Sequence, residues 1–214
     1  MKEYIAEFIA TFALLFIGAG AILANVGIIG IALAHGLVLM SMIYATGHVS
    51  GAHINPAVTI SMWVTKRIGN VKAIGYIISQ LLGATVGALF LRIIFSNAQL
   101  SLNLGTPALN GVSFWIGILI EFILTFLLVF TIFGTAIDKR APKGIYGFAI
   151  GLVLTFDIFV AGGLTGAAMN PARAFGPALI SGFWKSHIVY WIGPVLGALL
   201  AGLIYDNLLL ENKQ

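Results

Sequence analysis

The tripeptide Asn-Pro-Ala occurs twice in this chain, each time inside a strongly apolar stretch. The first copy lies in GAHINPAVTI at 51–60 and the second in GAAMNPARAF at 166–175, although the chain has only 6 prolines. Proline is favoured at the first position of a helix, because its missing N–H would have no partner there, and asparagine is a preferred N-cap. The pattern therefore predicts two helix starts within apolar sequence. The residues concerned are Asn55, Pro56, Ala57, Asn170, Pro171 and Ala172.

The remaining sequence is that of a membrane protein. Hydrophobic residues make up 60% of the chain, charged residues 8%, and the mean hydropathy is +1.05. A helix needs roughly 20 apolar residues to cross a bilayer. Six stretches are long enough or nearly so, which predicts one membrane domain over 1–214 in contact with the lipid bilayer. The predicted spans are 4–24, 30–48, 72–95, 112–136, 145–161 and 187–209.

Positive charges cluster where alternate spans end. Six such spans place the following cations on one side: Lys2, Lys66, Arg67, Lys72, Lys139, Arg140, Lys143 and Lys213. Loops rich in Lys and Arg stay in the cytoplasm, so both termini are expected there. The formal net charge of +4 is then a topology signal, and no nucleic-acid partner is expected.

Internal repetition divides the chain into two halves, approximately 1–110 and 111–214. AEFIATFALLF at 6–16 matches IEFILTFLLVF at 120–130, and ALAHGLVL at 32–39 matches GFAIGLVL at 147–154. Three spans per half is an odd number, so the repeats must be inverted. The apolar stretches 56–65 and 171–180 are too short to cross a bilayer. We predict an all-α membrane fold of six transmembrane helices plus two re-entrant half-helices, whose N-termini converge beside a pore.

These motifs resemble the aquaporin family, also called major intrinsic proteins. The resemblance rests on SGAHINPAVT, GAAMNPARAFGPA and the paired EFxxTF, and covers nearly the whole chain. It implies one pore per subunit, a homotetramer, and water as permeant. It further implies that Asn55 and Asn170 donate hydrogen bonds to water at the pore centre and that Arg173 stands in an outer constriction. Backbone carbonyls before each motif would form a ladder of acceptors, contributed by Gly51, Ala52, His53, Ile54, Gly166, Ala167, Ala168 and Met169.

Four positions would form the selectivity filter by the same resemblance: His35, Ile158, Ala167 and Arg173. Water-selective members carry Phe and His at the first two positions, and glycerol facilitators carry a pair of aromatic residues with a small one. The set in this chain is instead similar to plant tonoplast intrinsic proteins, which pass ammonia with water. We expect a channel for water and neutral ammonia that excludes protons and ions, with His35 and Arg173 donating to ammonia. A strict water channel, and a facilitator of glycerol or other small neutral solutes, remain alternatives.

Buried acids complete the candidate residues. Glu7 and Glu121 occupy equivalent places in the repeat, and we expect them to accept backbone hydrogen bonds in the half-helix loops; contact with the permeant is the alternative. An ion pair with Asp157 competes with the pore role of Arg173. The residues show no catalytic constellation and no metal-ligand set, so no enzyme activity, cofactor or metal is expected. Short loops favour a prokaryotic plasma membrane.

Overall fold

The computed structural model describes residues 1–95 and 101–211, and this part of the chain is helical with connecting turns and no strands. Residues 96–100 and 212–214, which include Lys213, lie outside the described residues. The α-helices in chain order are α1 (Lys2–Leu23), α2 (Gly27–Ser50), α3 (Pro56–Val64), α4 (Asn70–Ile94), α5 (Phe114–Ile132), α6 (Tyr146–Ala161), α7 (Pro171–Ser181) and α8 (Val189–Ile204).

Long apolar helices occupy the predicted spans. Single π-helical turns, Phe133–Ile137 and Tyr205–Leu209, prolong α5 and α8. With these turns, five helices in the described ranges are long and apolar enough to cross a membrane. The predicted span 145–161 corresponds to α6, which has 16 residues and is the shortest of the six. The predicted architecture of six long helices and two half-helices is confirmed.

The half-helices begin where the two tripeptides predict. Pro56 and Pro171 occupy the first turn of α3 and α7, which have 9 and 11 residues. The Oδ1 atom of Asn55 accepts from the backbone N–H of Ala57 at 2.9 Å, and Asn170 accepts from Ala172 at 3.0 Å. At 1.5 Å per residue, such helices reach only about halfway through the roughly 30 Å hydrocarbon core.

The two halves interlock through their half-helices. α1 packs on α2 and α4, as α5 packs on α6 and α8, while α3 lies against α8 and α7 against α4. α2 and α6 cross at the repeat-equivalent Gly36 and Gly151, where a Cβ on Gly151 would lie 2.6 Å from the Gly36 carbonyl oxygen. Small residues at a crossing let helix backbones approach closely in a membrane. These contacts enclose the space into which both half-helices point.

Ion pairs gather both described chain ends and two loops at one end of the molecule. Lys72 Nζ lies 2.6 Å from Glu3 Oε1, and Arg67 pairs with Asp206. Arg140 Nη2 lies 2.6 Å from Asp138 Oδ2 within the second loop, and Arg140 Nη1 lies 2.9 Å from Glu211 Oε1 near the C-terminal end. Hydrogen bonds from Arg140 hold the pKa of Asp138 below its usual range. This clustering is the arrangement that six spans with both termini on one side require.

Candidate pore and constriction

The loops before the two half-helices share an unusual backbone. Ala52 and Ile54 have φ angles of 50° and 58°, and their equivalents Ala167 and Met169 have φ angles of 42° and 51°. Such left-handed conformations cost a residue with a side chain about 1–2 kcal/mol each. Strain of this kind persists only where surrounding contacts fix the backbone. The two loops therefore need strong local partners.

Glu7 supplies these partners in the first half. It is fully buried on α1, and its Oε1 atom accepts from Ser50 Oγ at 2.6 Å and from His53 N at 2.9 Å. Its Oε2 atom accepts from Ile54 N at 2.7 Å and from Gln80 Nε2 at 2.8 Å. Hydrogen bonds to a buried carboxylate are about twice as strong as neutral ones. One acid thus fixes the strained loop.

Glu121 makes the corresponding contacts in the second half. Its Oε1 atom accepts from Thr165 Oγ1 at 2.6 Å and from Ala168 N at 3.0 Å, while Oε2 accepts from Met169 N at 2.7 Å. Tyr190 donates its hydroxyl to the Thr165 carbonyl at 2.7 Å, as Tyr76 does to Ser50 at 2.6 Å. Both acids bond to loop backbone, and neither Glu7 nor Glu121 lines either of the two cavities described below.

The two asparagines meet where the half-helix tips converge. Asn55 donates from Nδ2 to the Met169 carbonyl at 2.8 Å, and Asn170 donates from Nδ2 to the Ile54 carbonyl at 3.0 Å. Each amide has two N–H groups, so each asparagine keeps one donor free of these bonds. Both side chains line the larger of the two cavities described below. The tips are therefore locked together and still present two donors to that cavity.

Two cavities lie on either side of the predicted constriction, and we call inner the one at the end that carries the described chain termini. The inner one, of about 480 Å³, extends from Arg67 and Lys72 past the asparagines. The outer one, of about 350 Å³, is lined by residues that include Ile158, Gly105 and Asn110. His35 and Arg173 line both cavities. The predicted ladder residues Gly51, Ala52, His53, Ile54, Ala167, Ala168 and Met169 line the inner cavity, and Gly166 lines the outer one.

Arg173 is held by backbone and not by an acid. It is 3% exposed, and its Nη1 atom donates to the Gly105 carbonyl at 2.8 Å. Among the described residues it forms no ion pair with Asp157, whose Oδ2 atom is buried without a hydrogen-bond partner. The competing role as a structural ion pair is therefore wrong. Ile158 lies on the outer side of the constriction and Ala167 on the inner side.

His35 differs from the prediction in its hydrogen bonding. Its Nδ1 atom lies 2.8 Å from the Ile31 carbonyl oxygen, which only accepts, so Nδ1 carries a proton. In the neutral ring Nε2 is then an acceptor. The prediction that His35 donates to ammonia is wrong for this neutral form, because its one N–H is occupied within α2.

Several contributing residues were not anticipated from the sequence. Gln80 bridges Glu7 and Thr59, and Gly105 holds Arg173 from a loop without charges. The paired tyrosines Tyr76 and Tyr190 could have been found, because they recur at the same repeat offset as the acids. Among residues 1–95 and 101–211, no group of three or more His, Asp or Glu side chains could hold a metal ion.

Comparison with known proteins agrees with this geometry. Residues 1–205 match the family model "Major intrinsic protein". The chain is 42% identical to aquaporin TIP4-4 of Zea mays over 224 residues, covering 97% of this chain and 86% of the relative. It is 41% identical to aquaporin AqpM of Methanothermobacter marburgensis over 98% of both chains. The chain therefore belongs to the major intrinsic protein family.

A solved structure extends the comparison to three dimensions. The aquaglyceroporin from Plasmodium falciparum superposes with a TM-score of 0.86 at 27% identity, over 97% of this chain and 96% of that one. The protein is thus an integral membrane channel of the aquaporin family, a class of transporters and not of enzymes.

Proposed function

We propose that this protein is a passive channel for water and neutral ammonia that excludes protons and other ions. The observation that carries the proposal is the meeting of the two cavities at His35 and Arg173. A solute that crosses from one cavity to the other must pass these two side chains. Their chemistry therefore decides what the channel conducts.

Water can exchange its bulk hydrogen bonds for partners along this route. Carbonyls of the two loops offer acceptors, and the free N–H groups of Asn55 and Asn170 offer donors at the centre. The opposite walls include apolar side chains such as Leu39, Leu128 and Ile150. A path with acceptors on one side and few other partners holds water weakly enough for rapid passage.

Ions meet an unfavourable potential on the same route. Each half-helix N-terminus carries the equivalent of about half a positive charge. Arg173 adds a full charge in a buried site, where screening by water is weak. Cations, hydronium and ammonium are repelled, while the asparagine donors orient water oxygens towards the centre and interrupt a chain of proton transfer.

Neutral ammonia is admitted by the composition of the constriction. Ile158 gives an apolar wall, and Ala167 leaves lateral room. Arg173 donates to the ammonia lone pair, and the neutral His35 ring accepts one of its N–H groups. Among the relatives, the TIP-type aquaporins of plants are about as similar to this chain as the archaeal one.

We test the proposal in proteoliposomes that contain the purified protein. Osmotic shrinkage in a stopped-flow instrument measures water flux, and an internal pH dye under an ammonium gradient measures ammonia entry. Both fluxes should exceed those of empty vesicles. Water flux without ammonia flux would favour a strict water channel, and shrinkage that re-swells rapidly in glycerol would favour a glycerol facilitator.

The assembly and placement of the channel belong to the same proposal. We infer one channel domain over 1–214, a homotetramer with one pore per subunit, and a plasma-membrane location with both termini in the cytoplasm. The ion pairs Glu3–Lys72 and Arg67–Asp206 support a common side for the two ends. Protease accessibility of terminal tags in right-side-out and inverted vesicles tests this orientation.

A further inference from the structure

Gly18 on α1 lies directly against the His35 ring. A Cβ atom at position 18 would stand 2.5 Å from Cδ2 and 2.8 Å from Cε1 of His35, and closer still to Nε2. Real Cβ contacts are essentially never shorter than 3.0 Å. Both residues are buried. The ring therefore occupies space that any larger residue at position 18 would take.

The distances also give the direction of approach. An atom that approached Nε2 in the plane of the ring would be about 1 Å further from Cδ2 and Cε1 than from Nε2. The distances from the Cβ position to Nε2, Cδ2 and Cε1 instead differ by only a few tenths of an ångström. The position is therefore above the ring face. Gly18 therefore lies against the face of the imidazole and does not approach the in-plane lone pair of Nε2.

Two constraints now fix the chemistry of His35. The Ile31 carbonyl holds the Nδ1 proton, and Gly18 fixes the plane of the ring. His35 and Arg173 are both buried and line the same two cavities, so a second positive charge on the ring would lie close to the guanidinium in a site with little water to screen it. The constriction thus presents an acceptor from His35 and donors from Arg173.

We propose that Gly18 is a specificity-determining residue of this channel, because it is the surface on which the His35 ring is oriented at the constriction. This inference rests on the proposed function of His35. The second half offers a contrast: its equivalents of Gly18 and His35 are Ile132 and Ile150, and both line the wider inner cavity. No ring has to be accommodated there, and a large side chain is tolerated.

The test is a double-mutant cycle in proteoliposomes. Gly18→Ala should push the ring into the lumen and reduce water permeability about tenfold, the effect of roughly 1.4 kcal/mol of added barrier. It should also lower the ammonia-to-water ratio, because the displaced Nε2 no longer faces the permeant. Gly20→Ala is the matched control on the same helix, since its Cβ would meet only Leu91 Cδ2 at an ordinary 3.4 Å.

The same substitution is then made in a His35→Ala background. With the ring removed, Gly18→Ala should change neither flux nor ratio, and if Gly18→Ala alone fails to fold, the double variant should restore folding. Equal losses in both backgrounds, or no loss in the parent, would overturn the role of Gly18. If His35→Ala itself left both fluxes unchanged, the proposed function of His35 would fail instead, so the two failures are distinguishable.

Discussion

The two halves of the chain hold their half-helix loops alike but surround the pore with different side chains. The predicted outer filter positions are His35, Ile158, Ala167 and Arg173, and their repeat equivalents are Ile150, Ile43, Ala52 and Val58. All four equivalents line the inner cavity. The imidazole and the guanidinium of the predicted filter thus correspond to apolar side chains in the repeat.

This difference distinguishes the residues that position the half-helix loops from those that we propose select the permeant. The acid, the asparagine cap, the tyrosine and the left-handed loop residues occur in both halves, since both half-helices must be positioned. The charged and ring-bearing filter residues occur once. Under the proposed function a single selective ring suffices, because every permeant passes both ends of the pore in series. A second ring would add a barrier without adding discrimination.

The largest effect is expected from the duplicated acids. Glu7→Gln removes a buried carboxylate with four hydrogen bonds and should cost about 3 kcal/mol or more of stability, because the amide N–H₂ would face backbone donors. Glu121→Gln, which affects three such bonds, should cost roughly 1 kcal/mol less.

Thermal unfolding in detergent measures both variants. Glu3→Gln is the control, because Glu3 is part of a partly exposed ion pair with Lys72, and such pairs contribute little to stability. If all three variants were equally stable, the acids would not be the scaffold that we describe.

Replacing Arg173 by the residue at the equivalent position of the first half should affect ion exclusion more than water flux. Arg173→Val introduces the residue that the first half carries as Val58. Water permeability should stay within about twofold of the parent, while proton or cation leak should rise above that of empty vesicles, because the barrier loses its charge. An internal pH dye under a proton gradient measures the leak. A variant that folds, conducts water and remains proton-tight would show that the half-helix ends suffice.

Replacement of Asp157 is expected to have a smaller effect and to stabilise the protein. Its repeat equivalent is Met42, and it is buried within electrostatic range of Glu121 with one oxygen unpaired. A buried polar group without a partner costs about 1–3 kcal/mol. Asp157→Met should therefore raise the unfolding temperature and leave water flux unchanged. A loss of stability would mean that Asp157 has a partner or function not seen in this structure.

The smallest effect, none at all, is expected from mercurials. The chain has 0 cysteines, so neither half provides a thiolate for mercury near the constriction. Water flux should be unchanged by low concentrations of mercuric chloride. Block that is reversed by a thiol reagent would contradict this expectation.

The sequence predicts the scaffold well because the scaffold is repeated. The paired acids and the paired tripeptides lie at matching offsets, so their shared structural role can be inferred without coordinates. Pro56 and Pro171 begin helices for local reasons that the tripeptide itself contains. The prediction for Glu7 likewise needed only its equivalence to Glu121 in the repeat.

The contacts that occur in only one half could not be predicted from the sequence, because they depend on how the helices pack. The Gly18–His35 contact joins α1 to α2, and the Gly105–Arg173 bond joins a loop to a half-helix. Neither contact has a repeat counterpart that could signal it. The bond from Nδ1 of His35 to Ile31, which decides what the ring can accept, also requires the side-chain rotamer.

The most direct measurement of the central claim compares ammonia and water flux in the parent and in the double variant His35→Phe with Ile158→His. We predict that the exchange lowers ammonia flux and spares water flux, because it removes the acceptor and replaces an apolar wall with a polar one. A fall in both fluxes together, or an unchanged ratio with the protein folded, would contradict the claim that this single outer ring sets selectivity.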